Sequence, residues 1–355
     1  MTNPSFTLSA EHAALWEAFT AGRRPALARA ISIVENRRPG FEQLMQVAHG
    51  RLGHAQRIGL TGPPGAGKST LTSGLAAAFR ARGDTVGVIA VDPTSPYTGG
   101  ALLGDRIRMN EVALDDGVFI RSMATRGSLG GLALTTKEVA DLMDAFGFDR
   151  VIIETVGVGQ SELDIAATAD STVVVLVPES GDSIQAMKAG LMEIADLFVI
   201  NKSDRPGADR LAREIEMMLH LRLGQGMRNV PAHHGVDLTL NRKRRREMQQ
   251  QVAETEGSWS IPVLLTMAEQ AKGVTELVEA LDKHRDWLQT SGELSRRRRA
   301  RLAERVREAV DRRMQTIVWT DRQGQATLDA ALDDLESGTQ TPYDVADRIV
   351  NAVAG

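Results

Sequence analysis

The chain has 355 residues, a quarter of them charged, with a formal net charge of -4 and no cysteine. Such values suit a globular chain of about two or three domains. They exclude disulfides, thiolate metal sites and cysteine nucleophiles, and give no electrostatic reason to expect nucleic acid or an anionic membrane as a partner.

The segment Met1–Glu11 lacks a basic stretch followed by an apolar one, and the longest apolar runs, such as Thr172–Val177, are too short to span a bilayer. A cytoplasmic protein is therefore expected. Residues 1–55 are expected to form an N-terminal helical extension. Pro25 suits a first helical turn, and Leu27, Ala30, Ile31 and Val34 follow at helical spacing. Phe41, Leu44, Met45 and Ala48 repeat the pattern after Arg37-Arg38-Pro39-Gly40. Both faces read as core packing against the next domain.

Residues 56–285 alternate strands and helices. Strands are predicted at Arg57–Thr61, Val86–Val91, Val118–Arg121, Arg150–Glu154, Thr172–Val177, Leu197–Ile200 and Ile261–Leu265. Their unbroken apolar character suits a sheet covered on both faces. The expected fold is α/β: a doubly wound, mainly parallel sheet with its ligand at the C-terminal strand ends, carrying N- and C-terminal helical extensions.

Between the first strand and a helix predicted over Leu71–Arg82 runs Gly62-Pro63-Pro64-Gly65-Ala66-Gly67-Lys68-Ser69-Thr70, which matches the phosphate-loop pattern G-x-x-x-x-G-K-[ST]. Glycine lets backbone N–H groups curl around phosphate oxygens, and the helix N-terminus adds partial positive charge. Lys68 can reach the β- and γ-phosphates, and Ser69 can ligate Mg²⁺. Acids follow along the chain. Asp92 comes after Val86–Val91, Asp105 lies in the glycine-rich stretch Thr98–Asp105, and Glu154 ends Val151-Ile152-Ile153. Such acids are sometimes only helix caps, but three converging on a phosphate site suit a cation shell. Ser69, Asp92, Asp105 and Glu154 are thus the expected metal set, and Lys68, Asp92 and Glu154 the catalytic set. In Glu154-Thr155-Val156-Gly157 the Gly157 N–H is placed to sense the γ-phosphate.

Asn201-Lys202-Ser203-Asp204 follows another apolar strand. A buried carboxylate at Asp204 would accept hydrogen bonds from guanine N1–H and the 2-amino group, a pair that adenine lacks, so the expected ligand is GTP or GDP. After the last strand, Thr266-Met267-Ala268 are placed to offer backbone N–H to guanine O6. Val158 stands where many GTPases place a water-orienting Gln, so hydrolysis is expected to be slow until a partner completes the site.

The basic runs Arg242–Arg246 and Arg296–Arg299 with Arg301 have no interleaved aromatics and read as solvated helix faces. His233-His234 lacks acidic or thiol partners at ligand spacing and reads as a loop pair. Residues 286–355 are expected to form a helical arm. Leu302, Val306, Val310, Met314 and Ile317 make one apolar stripe, and Leu328, Leu332 and Leu335 continue it in a second helix. Thr341-Pro342 reads as N-cap and N1 of a third helix carrying Ala346, Ile349, Val350 and Val353. The stripe needs a cover, either the nucleotide domain or a second copy of the chain; because it is long and lies outside the sheet pattern, a second copy is the preferred expectation and the arm reads as a dimerisation element.

The runs Val91–Pro96, Thr98–Gly100, Leu103–Met109 and Glu154–Glu162, together with Gly127–Leu132 and Gly181–Gly190, resemble the MeaB/ArgK family. The likeness is close over residues 55–205 and one of layout elsewhere. The resemblance implies a P-loop GTPase chaperone of an adenosylcobalamin-dependent acyl-CoA mutase. Such a protein gates cofactor delivery and protects or reactivates the mutase, which in turn accelerates GTP hydrolysis. It further implies that Asp92, Asp105 and Glu154 surround Mg²⁺. Residues 181–188 would be an additional switch loop, with Asp182, Gln185 and Lys188 its polar members. Methylmalonyl-CoA, isobutyryl-CoA and 2-hydroxyisobutyryl-CoA mutases all fit as partner. Thr266-Met267-Ala268 departs from the family's Ser-Ala pattern, and residues 222–251 match no family signature. Three rivals stand beside this reading. A GTPase for metal insertion lacks the cysteine relay it would need, a kinase of a transport system lacks an evident acceptor pocket, and an RNA-associated GTPase rests on the basic runs alone.

Overall fold

The computed structural model describes residues 8–93, 110–125, 131–155, 165–178, 190–222, 258–321 and 323–354. They divide into two compact units that part between Ser295 and Arg296.

The first unit opens with three helices: α1 (Ala10–Thr20), α2 (Arg24–Glu35) and α3 (Phe41–His49). The seven strands are β1 (Gln56–Thr61), β2 (Val86–Pro93), β3 (Val118–Thr125), β4 (Arg150–Thr155), β5 (Ser171–Leu176), β6 (Leu197–Ile200) and β7 (Val263–Leu265). All are paired in parallel, in the order β3-β2-β4-β1-β5-β6-β7. The chain leaves β1 for β2 and β3 on one side, returns to β4, then crosses to β5 on the other side of β1. That reversal opens a crevice at the C-terminal end of β1, where the phosphate loop lies.

Alternating strand residues supply both faces. Ile58, Leu60, Val88, Ile152, Val173 and Val199 bury against α4 (Lys68–Ala81) and a helix at Val274–Thr290, here α7, through Leu71, Leu75, Phe79, Leu277 and Leu281. Ile89, Val91, Val151 and Ile153 face α5 (Gly131–Phe146), and the N-terminal helices pack on α5 with Leu27, Ile31, Val34 and Leu44 fully buried. Val174, Leu176, Phe198 and Ile200 face α6 (Ala208–Arg222). The N-terminal helices are thus a third layer on α5.

The approach to β1 is held by one carboxylate. Asp144 accepts the backbone N–H groups of Gly53, His54 and Ala55 and pairs with Arg57 at 2.9 Å. Burial alone would lower the Arg57 pKa; Asp141, Asp144 and Asp170 outweigh it and hold the guanidinium above its ordinary value. At the opposite end of the sheet from the crevice, fully buried His284 of α7 meets Ser171 Oγ at 2.8 Å and Asp196 at 3.4 Å, under the Trp259 ring. This set of Ser, His and Asp is fully enclosed and pins α7 to β5.

Three strand ends differ from expectation by two residues or more; β2 runs on to Pro93, two residues past Val91. β3 runs four residues past Arg121, because Ser122–Thr125 pair with Ala90–Pro93 although their polar members interrupt the apolar run. β7 begins at Val263, after Pro262, which has no N–H to give to a ladder; its carbonyl accepts Phe198 N–H.

The second unit holds most of α8 (Glu293–Thr316), a π-turn at Ile317–Asp321, α9 (Gly324–Glu336) and α10 (Pro342–Ala354). Thr341 caps α10 reciprocally with Asp344: its N–H and hydroxyl reach Asp344 Oδ2 at 2.8 Å, and Asp344 N–H returns to Thr341 Oγ1. The small core of this unit is Ala331, Val345 and Ile349, with Val318, Leu328 and Leu335 against it. Leu332, Ala346 and Val350 are exposed, one position off the face that packs. Among the described residues no helix is long and apolar enough to cross a membrane.

Candidate functional site

The loop after β1 turns on glycines that no other residue could replace. Gly62 has φ 137°, and a Cβ there would lie 2.0 Å from the Val175 carbonyl oxygen. Gly67 has φ 84°, and its Cβ would meet Asn201 Nδ2 at 2.3 Å. Helix α4 starts directly at Lys68, three residues before the predicted start, with no side chain capping its N-terminus. The uncapped N–H groups and the helix dipole therefore face the loop, as a phosphate requires. Lys68 Nζ donates to Gly62 O at 2.7 Å and Pro63 O at 3.0 Å, which sets the ammonium inside the loop.

Ser69 and Glu154 converge across the crevice. Ser69 Oγ donates to Glu154 Oε1 at 2.5 Å, and Thr72 Oγ1 donates to Oε2 at 2.8 Å. All three are buried. Thr72 was not among the expected site residues, yet the signal was present: it stands one helical turn beyond Ser69 on a predicted helix. A hydroxyl and a carboxylate at one point are hard oxygen donors, and they fit Mg²⁺, which takes one or two protein ligands beside phosphate oxygens. Among the described residues no group of three His, Cys, Asp or Glu gathers as a self-sufficient metal site. Thr155, next after Glu154, has its hydroxyl 3.2 Å from that of Thr61 at the end of β1.

The base motif is wired into the phosphate loop. Buried Asn201 donates from Nδ2 to Ala66 O at 2.9 Å, while its Oδ1 accepts Thr266 Oγ1 at 3.1 Å and Ala268 N–H at 3.0 Å. Lys202, at φ 55°, donates from Nζ to Gly65 O at 2.9 Å. Positive φ at a lysine is costly backbone and recurs at functional sites. Asp204 lies at the rim of the same strand end and is exposed rather than buried. Burial of its carboxylate would have to come from the base itself. The 266–268 segment also differs from expectation. Thr266 N–H goes to Ile200 O, Met267 N–H to Lys272 O and Ala268 N–H to Asn201. The loop braces Asn201, and a contact of Ala268 N–H with guanine O6 would have to be shared with that bond.

Asp105, Gly157, Val158, Asp182, Gln185 and Lys188 lie outside the described residues, as do His233-His234 and Arg242–Arg246. Asp92 is described as backbone near the C-terminal end of β2, beside β4, whose last two residues are Glu154 and Thr155.

Residues 27–323 match the family described as "Methylmalonyl Co-A mutase-associated GTPase MeaB". A Pyrococcus abyssi protein named as a candidate GTPase is 46% identical over 296 residues, 83% of each chain. The Escherichia coli protein named GTPase ArgK is 36% identical over 295 residues, 82% of this chain and 81% of that one. A crystal structure titled as an LAO/AO transport system kinase covers 99% of this chain and 100% of its own, at 25% identity and TM-score 0.66.

Proposed function

The chain belongs to the MeaB family of methylmalonyl-CoA mutase-associated GTPases and hydrolyses GTP, and from that membership we propose that it is the chaperone of an adenosylcobalamin-dependent acyl-CoA mutase. In this reading it gates cofactor delivery to that enzyme and protects or reactivates it. The observation that carries the nucleotide half is Asn201, one buried side chain hydrogen-bonded to the phosphate loop and to the loop after β7. Recognition of the base is thereby tied to the shape of the phosphate cradle.

We assign the roles residue by residue. The loop N–H groups and the N-terminus of α4 bind phosphate. Lys68 sits inside the loop and would turn from Gly62 O and Pro63 O to phosphate oxygens of higher charge. Asp204 selects guanine by accepting two N–H bonds. Ser69 and Glu154, with Asp92 and Asp105, are the proposed residues around Mg²⁺, which when bound neutralises charge on the β- and γ-phosphate oxygens. Gly157 N–H senses the γ-phosphate, and Asp182, Gln185 and Lys188 carry nucleotide state to the mutase. Val158 cannot polarise the attacking water, so the partner completes the site. We place the protein in the cytoplasm and assign residues 286–355 to a dimerisation arm, in which a second copy covers the exposed stripe Leu302, Val306, Val310 and Met314.

GTP hydrolysis measured alone and with a panel of cobalamin-dependent acyl-CoA mutases tests this. A slow basal rate raised sharply by one mutase is the expected result, and it names the partner. A fast basal rate, at many turnovers per second, would sink the idea of partner completion. Absence of stimulation by every mutase would leave the GTPase without the chaperone role.

A further inference from the structure

Glu154 presents two carboxylate oxygens to one face of α4, and each takes a different hydroxyl: Oε1 from Ser69 and Oε2 from Thr72. The residues are three apart on the helix and stack on one face, separated by roughly one turn. Thr72 is fully buried, and Glu154 is 5% exposed. The terminal torsion of a glutamate is broad and close to two-fold, so its own rotamer does not set the plane of the carboxylate. A donor on each oxygen restrains the carboxylate plane more than a donor on one.

We propose that Thr72 is a positioning residue of the cation site, holding the Glu154 carboxylate so that Oε1 keeps the Ser69 proton and the Ser69 oxygen keeps its lone pairs for Mg²⁺. The proposal rests on the reading of Ser69 and Glu154 as Mg²⁺ residues. Its chemistry is that of outer-shell partners in metal sites, whose loss commonly weakens metal binding by about 10–100-fold. Thr72 touches neither nucleotide nor cation; it acts through Glu154.

The test is the Mg²⁺ dependence of release of a fluorescent GDP analogue from the full chain, for the wild type, Thr72→Ser and Thr72→Ala. Melting temperature without Mg²⁺ is measured in parallel. Both variants lose the same methyl group, and only Ala loses the hydroxyl. The expected result is that Thr72→Ala needs about tenfold more Mg²⁺ for half-maximal slowing of release, while Thr72→Ser stays within about twofold of the wild type. Equal shifts in Ser and Ala would assign the effect to packing and overturn the proposal. So would a lowered melting temperature in Ala with an unchanged Mg²⁺ requirement, because Thr72 would then serve only to satisfy a buried carboxylate. If the Ala variant does not fold, Thr72→Val keeps the volume, removes the donor and is read the same way. A wild type whose GDP release ignores Mg²⁺ would remove the Mg²⁺ reading itself, an outcome distinct from a failure of Thr72 alone.

Discussion

In the proposed reading, Asn201 and Asp204 divide base recognition between a buried brace and an exposed selector. Replacing Asn201 by Ala leaves Ala66 O, Thr266 Oγ1 and Ala268 N–H without their shared partner in a buried place. Unmet buried polar groups cost about 1–3 kcal/mol each, and neighbours relax in part, so a stability loss of about 2–4 kcal/mol is expected in urea unfolding, together with weaker GDP binding. Asp204 holds nothing in the protein's interior, so Asp204→Asn should leave the urea midpoint unchanged. It exchanges an acceptor for a donor against guanine N1–H and the 2-amino group. Two charge-assisted bonds at an exposed rim lose about 3 kcal/mol together, a fall of about 100-fold in GTP affinity. Xanthine carries a carbonyl at that ring position, so the variant should gain affinity for XTP. Titration of both nucleotides against one variant checks the base assignment. An unchanged preference for GTP would move the selector elsewhere.

At the scale of elements, the sheet was legible because each strand is an apolar run and each crossover is long enough for a helix. The described part of the candidate site was legible for a related reason: phosphate and guanine chemistry impose residues at fixed spacing, as in Gly62–Thr70 and Asn201–Asp204. What escaped were pairings between distant segments. Thr72 meets Glu154 across 82 positions, and the Asn201 side chain takes the Ala268 N–H across 67; helical spacing puts Thr72 on the Ser69 face, but no local pattern names either distant partner. A further cross-strand tie sits below the sheet, where Thr85 donates its N–H and its hydroxyl to Asp149 Oδ2, both at 2.7 Å. Burial would raise the Asp149 pKa, but the Thr85 donors and Arg150 outweigh it and hold the carboxyl below its ordinary value. A depressed carboxyl contributes stability that is present above its unfolded pKa of about 4 and is lost as pH falls through the lower folded value. Asp149→Asn should therefore melt below the wild type at neutral pH, with the gap closing below about pH 4. A gap that stays constant with pH would mean that the charge of Asp149 contributes nothing.

At the scale of the whole molecule, the question is what the second unit is for. Its own core is three buried residues, Ala331, Val345 and Ile349, with a few side chains leaning on them. Meanwhile Leu302, Val306, Val310 and Met314 stand 45–63% exposed along α8. Scattered apolar residues on a surface need no explanation, but four in register along a helix as rich in arginine as this one form a continuous seam. If a second copy covers that seam, each valine contributes about 1.5 kcal/mol on burial, and a carboxylate in its place adds a desolvation cost. Val306→Glu with Val310→Glu alters both copies at once, so the dimer should weaken by at least about 1000-fold and sediment as a monomer at micromolar concentration. The described residues of the proposed nucleotide site belong to the first unit, so the basal GTP hydrolysis rate per chain should hold. Mutase stimulation then separates two designs. If the dissociated chain is still stimulated, the arm serves assembly only; if stimulation disappears while basal turnover persists, the mutase reads the paired arms and the dimer is part of the switch.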